Sequence, residues 1–583
     1  MSANHPLDEQ AIRTIVEDVM RGLGRAAPVA ASASEPKATA SPSAPRRSGP
    51  RFGVFDDVKE ACAAAQVAFE QLRNKGVAGR AKVVEIVKDL CTRNAKVWGK
   101  FEFDETKIGR LEHKIAKLEI VKLVPGVEWL QPRGMSGDHG ITMEEHAPFG
   151  VVGAVLPVTH SIPTLSGNVI NIVAAGNSVV FNPHPGGARS AALAVRTFNE
   201  AIFAVLGIEN LVCTVEKPTI ETFGALTKDE HVRLLCVTGG PMVVKAAMAS
   251  GKRAICAGPG NPPVVVDGTG NLAKAAADII SGAAFDNNLL CIGEKQVFVL
   301  EQVADRFMNE LASAGAAKLT ASQLAKLSAS AFTNAKDAGG CSHAVLNRQL
   351  VGADAAVLAQ HAGAIVTAEC PLLFAETDAE HVFVMEEQMM PMLPIVRVKD
   401  FNAAIAAAVK SEHGYKHSCV IHSLNVERMT QMARALDTTL FVKNGPSTAG
   451  LGLGGEGYLS YSIATTTGEG ITTPETFTRT RRCVMVDNLR IYYAMILARV
   501  DGVVVATVGH PSLTGHRSII CQPLDEHGRD EGVPFLAIDP QGAGLHQRVL
   551  ISTDGSHTRV HVKNPQSPLR NLVLGIVDEK ETA

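Results

Sequence analysis

The 583-residue sequence predicts an α/β fold, a doubly wound domain, followed by a small all-β barrel. Three observations carry this. From about 51 to 490 short apolar runs alternate with helical periodicity, the order of a parallel sheet covered by helices on both faces. From Met495 onward β-branched runs recur at short intervals, separated by turn formers and without long helical patterns. The chain is also too long for one ordinary core.

Residues 1 to about 24 read as an amphipathic helix, with Leu7, Ala11, Ile12, Ile15, Val16, Val19, Met20 and Leu23 on one face. Gly22 and Gly24 end it. A linker of Ala, Pro, Ser and Arg follows over about 25–50, too poor in apolar residues to fold. Ala61 to Leu90 is then helical. Gly150–Leu156, Ser178–Phe181, Leu234–Val237 and Pro263–Val266 are buried strands, with helices at Thr164–Ala175 and Ala188–Leu206 between them. A second α/β unit, about 270–440, holds strands Gln296–Leu300 and Met392–Val398. The barrel strands are Val503–Ala506, Ser518–Cys521, Phe535–Ile538, Arg548–Ile551 and Leu572–Val577. The boundary falls near Tyr492.

Composition excludes several classes. Hydrophobic residues make up 46% and charged residues 20%, as in globular proteins. A net charge of -3 with no basic stripe predicts no nucleic-acid partner. No apolar run reaches the roughly 18 residues that span a bilayer, which predicts no membrane partner. Asp8, Glu9, Arg13, Glu17 and Asp18 interrupt any secretory core, so a cytoplasmic location is expected, with the 11 cysteines mostly reduced. They form no Cys-x-x-Cys and no zinc-spaced cluster, so no metal site is expected.

Two motifs carry chemistry. Thr238-Gly239-Gly240-Pro241 follows a strand and precedes a helix, a turn where backbone N–H groups can meet a phosphate. Cys291 follows Asn287 and Asn288 and precedes Gly293, a polar setting in which backbone amides can face an oxyanion. Most cysteines in apolar context are buried and inert; these neighbours set Cys291 apart.

Together with Gly258-Pro259-Gly260-Asn261-Pro262-Pro263-Val264-Val265-Val266-Asp267, Ala174–Phe181, His184-Pro185, Glu386-Glu387 and Arg481–Asp487, these motifs resemble the CoA-acylating aldehyde dehydrogenases of bacterial microcompartments over about 51–490. The resemblance implies the aldehyde dehydrogenase fold. It places an NAD-binding domain at 51–256, with 441–490 returning to it, and a catalytic domain at 257–440. It implies that Cys291 attacks a short-chain aldehyde, that hydride passes to NAD, and that coenzyme A takes the acyl group from the resulting thioester. Hydrolytic relatives have a water-activating glutamate where this chain has Ala257, so coenzyme A is the expected acceptor; a hydrolytic enzyme releasing free acid is the alternative. By the same resemblance Thr238, Gly239, Gly240, Pro157, Asn182, His184, Pro185 and Glu387 bind the cofactor, with Asn182-Pro183-His184-Pro185 replacing the usual Lys-Pro-Ser. The family's oxyanion asparagine corresponds to His160, whose imidazole or imidazolium N–H would replace it.

His510–Gly515, Gln522–Asp525, Ala537–Asp539 and Gly542–Gly544 resemble the pentameric vertex proteins of microcompartment shells, which implies a vertex-type barrel at 494–583. Shell proteins are then expected partners, the compartment an expected location, and the helix at 1–24 a targeting peptide. A structural shell component with an inactive dehydrogenase portion is the reading from another class. Dehydrogenases of this type form homo-oligomers, dimers or tetramers, whereas vertex proteins form five-fold rings. Propionaldehyde is the favoured substrate, with acetaldehyde the other.

Overall fold

A computed structural model describes residues 51–137, 139–336, 342–487, 495–525 and 527–578. The expected targeting helix, its linker and the junction at Arg490-Ile491-Tyr492-Tyr493 lie outside these residues. The chain divides into two compact units. One comprises the chain up to Leu130 with His146–Arg479, the other Gln131–Glu145 with the chain from Thr480 onward.

The first unit is built on two parallel sheets. Six strands, β1 (Val54–Phe55), β2 (Val151–Leu156), β3 (Ser178–Pro183), β4 (Val212–Val215), β5 (Val232–Thr238) and β6 (Ala254–Ala257), lie in the order β1-β4-β3-β2-β5-β6. Every residue of β2 and β3 is buried, in keeping with the apolar run of β2 and the Val179–Phe181 centre of β3. The chain winds one way from β2 to β4 and then returns to start β5 on the other side of β2. That reversal opens a crevice beyond the carboxyl ends of β2 and β5.

Seven strands make the second sheet: β7 (Pro263–Val266), β8 (Gln296–Leu300), β9 (Ala317–Lys318), β10 (Leu373–Thr377), β11 (Met392–Val398), β12 (Ser418–His422) and β13 (Leu440–Lys443). Their order is β9-β10-β11-β8-β7-β12-β13. Separate apolar clusters fill the two faces, one around Phe307 and Phe374, the other around Phe298 and Phe401.

The expected helix over Ala61–Leu90 is part of a longer helical run, Val58–Thr106, broken at Gly76. Gly76 has φ 64 and ψ -158, open to glycine and to no other residue without strain. Periodicity continues through the break, so the sequence pattern hides it.

In the second unit β14 (Met495–Val504), β15 (Ser518–Pro523), β16 (Phe535–Ile538), β17 (Arg548–Ser552) and β18 (Leu572–Ile576) close a barrel in the order β14-β15-β16-β18-β17. Its core holds Ala498, Val500, Ile519, Cys521, Val549 and Ile551. The expected strand Val503–Ala506 is displaced. The strand runs Met495–Val504, with a bulge between Val500 and Gly502; Val503 near its end is 51% exposed, and Val505 beyond it 94%. Strands Arg133–Gly137, Gly140–Pro148 and Thr478–Val486 form a further three-stranded sheet.

Candidate active site

Four adjacent strands of the second sheet start at one edge, and each is preceded by a polar residue. Gly260 and Asn261 precede β7, Glu294 and Lys295 precede β8, Glu387 and Gln388 precede β11, and His417 precedes β12. The same edge receives the chain as it leaves the carboxyl end of β6, through Gly258–Pro262. Topology therefore brings the amino edge of the second sheet to the carboxyl edge of the first. Cys291 lies at that meeting point: a Cβ on Gly260 would sit 2.7 Å from the Cys291 carbonyl oxygen and 2.9 Å from the His417 ring.

The backbone entering Cys291 is strained. Asp286, Asn287 and Asn288 have φ of 49, 54 and 64, three successive left-handed residues without a glycine among them. Such conformations cost about 1–2 kcal/mol each, least for Asp and Asn, and persist only where the surroundings impose them. Each residue is anchored by its own side chain. Asp286 pairs with Lys117, lies 3.7 Å from Lys114 Nζ, and accepts the Arg110 N–H at 2.9 Å. Asn287 Nδ2 donates to the Gly352 carbonyl and to Asp354 Oδ1, both at 2.9 Å. Asn288 Nδ2 donates to the Glu294 carbonyl at 2.9 Å, while Lys295 Nζ donates to the Asn288 carbonyl at 2.8 Å and to its Oδ1 at 2.5 Å.

The charges around this turn are buried. Burial opposes ionisation of Asp286, but Lys117 and Lys114 outweigh it and pull its carboxyl down to about 2. Glu102, also buried, accepts from Lys114 Nζ at 3.3 Å and from the Ile162 N–H at 2.8 Å. Cys291 keeps part of its surface exposed, yet burial pushes its thiol up to about 12; Glu387 adds to the rise and Lys295 opposes it. Burial raises Glu387 too, against Lys295 and the Gly260 N–H. His417 is driven down to about 4 by burial and by Lys295; its Nδ1 lies 2.8 Å from Ser418 Oγ and its Nε2 has no partner.

Glu294 is buried and pushed up to about 7, although Ser447 donates its N–H and its hydroxyl to it at 2.7 and 2.8 Å. An acid whose pKa is higher folded than unfolded favours folding only while protonated. Its contribution is therefore lost as pH rises from about 4.5 through about 7. Glu294→Gln should flatten this fall, raising the melting temperature relative to the parent at pH 8 but not at pH 5. Equal differences at both pH values would contradict the assignment.

The residues expected at the cofactor lie along the carboxyl edge of the first sheet. Pro157 follows β2, Asn182 lies near the end of β3 with His184 and Pro185 just beyond, and Thr238 ends β5 before Gly239 and Gly240. Neither glycine has positive φ, so the turn does not need glycine for its backbone. It needs space. A Cβ on Gly240 would meet nothing within 4 Å, and no side chain caps the helix Pro241–Met248 that Gly240 begins. The Gly239 N–H donates to the Ala257 carbonyl at 3.3 Å, and those of Val243 and Val244 to the Gly240 carbonyl at 3.1 and 3.2 Å, which leaves the Gly240 and Met242 N–H groups for a phosphate. His184 Nδ1 accepts the Gly186 N–H at 3.0 Å, which puts the ring proton on Nε2. Asn182 differs from expectation: it is 6% exposed, and its amide is committed to Thr222 Oγ1 at 2.6 Å and the Thr219 carbonyl at 3.4 Å. It holds the next helix in place and has little amide left for a ligand.

His160 lies at the start of the fully buried helix Ser161–Ala174 and is 5% exposed. Burial, with Lys117 and Lys114, lowers its pKa well below the ordinary value, which favours the neutral ring. Its Nε2 lies 3.5 Å from Thr159 Oγ1, and its Nδ1 has no partner. The structure sets His160 beside the Lys117–Asp286 cluster; no hydrogen bond joins it to Cys291 among the described residues.

Sequence reading passed over Lys114, Lys117, Glu294, Lys295 and His417. A signal was present for one pair: Glu294-Lys295 runs directly into an apolar strand, where charged residues are rarely buried without partners. Among the described residues no cluster could hold a metal ion, and no helix is long and apolar enough to cross a membrane.

Known proteins match the chain in two stretches. The aldehyde dehydrogenase family model matches residues 53–457, and the ethanolamine utilisation protein EutN/carboxysome model matches 495–578. The chain is 46% identical to acetaldehyde dehydrogenase (acetylating) EutE of Escherichia coli strain K12, over 76% of this chain and 94% of the relative. It is 40% identical to propanal dehydrogenase (CoA-propanoylating) of Salmonella typhimurium, over 75% and 93%. Among solved structures, Rhodopseudomonas palustris propionaldehyde dehydrogenase, with bound CoA and an acylated cysteine, superposes with a TM-score of 0.72. It is 42% identical and covers 76% of this chain and all of that one.

Proposed function

The chain belongs to the aldehyde dehydrogenase family, and on that premise we propose that it converts a short-chain aldehyde, NAD⁺ and coenzyme A into acyl-CoA, NADH and a proton. The observation that carries the proposal is Cys291, held on a strained and triply anchored turn where the two sheets meet. As thiolate, its Sγ bonds to the aldehyde carbon, giving a thiohemiacetal on the chain. Nicotinamide dinucleotide, when bound, supplies the acceptor for the hydride that leaves that carbon. The resulting Cys291 thioester keeps the acyl group activated. The thiolate of coenzyme A attacks the thioester carbon and returns Cys291 as thiolate.

The chain's own residues frame these steps. The turn after β5 offers the Gly240 and Met242 N–H groups to the pyrophosphate, with Thr238, Gly239 and Pro157 beside it. His184 and Pro185 border the adenosine end, where the His184 Nε2–H is free to donate. Glu387, facing Cys291, meets the nicotinamide ribose. Ala257, in the position of the hydrolytic glutamate, gives water no base. Product identification tests the whole reading: acyl-CoA must form in step with NADH, and free acid in its place would overturn it. Propionaldehyde is the favoured substrate, so kcat/KM should peak at three carbons in a series from two to four; a peak at two would make acetaldehyde the substrate.

His160 donates a neutral N–H to the oxyanion of the thiohemiacetal. Losing such a donor costs about 3–4 kcal/mol of transition-state stabilisation. His160→Ala should accordingly lower kcat by two to three orders of magnitude with KM little changed. Unchanged turnover would remove His160 from the mechanism.

The C-terminal barrel supports a location in a bacterial microcompartment, with shell proteins as partners, residues 1–24 as a docking peptide, and the dehydrogenase portion as the seat of homo-oligomerisation.

A further inference from the structure

Lys295 is 0% exposed, and a fully buried lysine requires partners. Two of its donor directions end on Asn288, at the carbonyl and at Oδ1. Asn288 is the last left-handed residue before Cys291, and its amide closes back on the carbonyl of Glu294, the residue next to Lys295. Residues 288–295 thus form a loop shut at its base by this lysine, with Cys291 in the middle. The loop has little freedom: a Cβ on Gly293 would meet Asn288 Oδ1 at 3.0 Å. Gln388 Nε2 fixes the Lys295 carbonyl at 2.8 Å, tying the loop to the start of β11.

The charges facing this loop come from every element around it. Glu387 lies on the β11 side, Glu294 is adjacent in the chain, and His417 sits before β12, held neutral. Lys117 and Lys114 are engaged with Asp286 and Glu102. Lys295 is thus the cation that acts on the Cys291 sulfur, against Glu387.

We propose that Lys295 is a positioning residue with two tasks: its ammonium locks Asn288 in the left-handed turn, and its charge stabilises the Cys291 thiolate. The inference rests on Cys291 being the nucleophile. A thiolate has to form next to a carboxylate, in a site where burial favours the thiol. A fixed cation in the same loop supplies the field that water cannot.

The test is the pH dependence of iodoacetamide alkylation at Cys291 in the full chain, followed by mass spectrometry of the peptide that contains it. Cys483 is exposed and reacts as well, so total thiol loss is not the readout. Lys295→Gln keeps a donor for Asn288 but removes the charge; its alkylation midpoint should rise by one pH unit or more, with kcat falling about tenfold or further and KM changed less. Lys295→Arg should return the midpoint to within about half a unit of the parent. An unmoved midpoint in Lys295→Gln, or an Arg variant as displaced as the Gln variant, would overturn the proposal. Asn288→Gly, which tolerates φ 64 and leaves the lysine in place, separates the two tasks. Turnover should drop while the midpoint moves by less than a third of the Gln shift. A midpoint shift as large as that of Lys295→Gln would make loop geometry the cause and refute the role of charge. Failure of this inference is distinguishable from failure of the nucleophile assignment. In the first case Cys291 stays essential with an unmoved midpoint; in the second, Cys291→Ala stays active.

Discussion

Replacing Cys291 with serine should lower kcat by about four orders of magnitude or more while leaving thermal unfolding within a few degrees of the parent. The substitution changes one atom. The side chain is nearly the same size, its residue is part-exposed, and the turn that presents it is held by Asp286, Asn287 and Asn288. What changes is the nucleophile. A hydroxyl ionises far above neutral pH, and Ala257 leaves no general base in the position that could compensate. The serine ester, if formed, is also a poorer acyl donor to coenzyme A than a thioester. Both half-reactions should therefore fail, which ping-pong initial rates and acyl-enzyme mass spectrometry can follow separately. Activity within tenfold of the parent would mean that another group attacks the aldehyde.

The second large effect is on stability. Lys117→Met should destabilise the dehydrogenase portion by about 3 kcal/mol, because it strands the Asp286 carboxylate in the interior. Lys114 remains, but at 3.7 Å and already shared with Glu102 and the Thr159 carbonyl. Adding Asp286→Asn to Lys117→Met should recover part of the loss, since no unpaired charge is then left. The pH dependence gives an independent check. The Asp286 carboxyl is depressed from 3.8 to about 2 in the folded protein, so its contribution is complete above about pH 4 and lost as pH falls towards 2. In Lys117→Met that loss should begin at a higher pH. A variant as acid-resistant as the parent would show that Lys117 does not carry the pairing. Turnover should fall too, because the strained turn loses one of its three anchors.

Much of the fold was legible because it rests on patterns that the sequence carries locally. The bounds of β7, β8 and β11 coincide with the apolar stretches read from the sequence, since each strand is a short, mostly apolar run. The Gly76 break was hidden because the helical periodicity runs through it. The first barrel strand was misplaced because Ala498 and Val500 face the core while the more conspicuous valines face solvent. Family resemblance, more than residue chemistry, located Cys291. Its supports were not legible for a physical reason: Lys117 is 169 residues from Asp286, and spacing in the sequence cannot show a pair made by tertiary folding. Asn182 illustrates a partner the sequence hides. Its position in a nucleotide-binding segment suggested a ligand contact, but the helix that begins after Thr219 takes up its amide. Glu387 needed the fold as well, because only the shared edge of β8 and β11 brings it to Cys291.

The proximity of that carboxylate sharpens the central claim, that the acyl group leaves Cys291 for coenzyme A and not for water. Burial raises the pKa of Glu387, against the Lys295 charge and the Gly260 N–H. In the proposed reaction Glu387 meets the cofactor and takes no part in activating water. Rapid mixing of the enzyme with aldehyde and NAD⁺ in the absence of coenzyme A decides between the two. A burst of no more than one NADH per Cys291, followed by a halt that coenzyme A releases, is the predicted result. Sustained NADH formation without coenzyme A, with free acid accumulating in step, would contradict it.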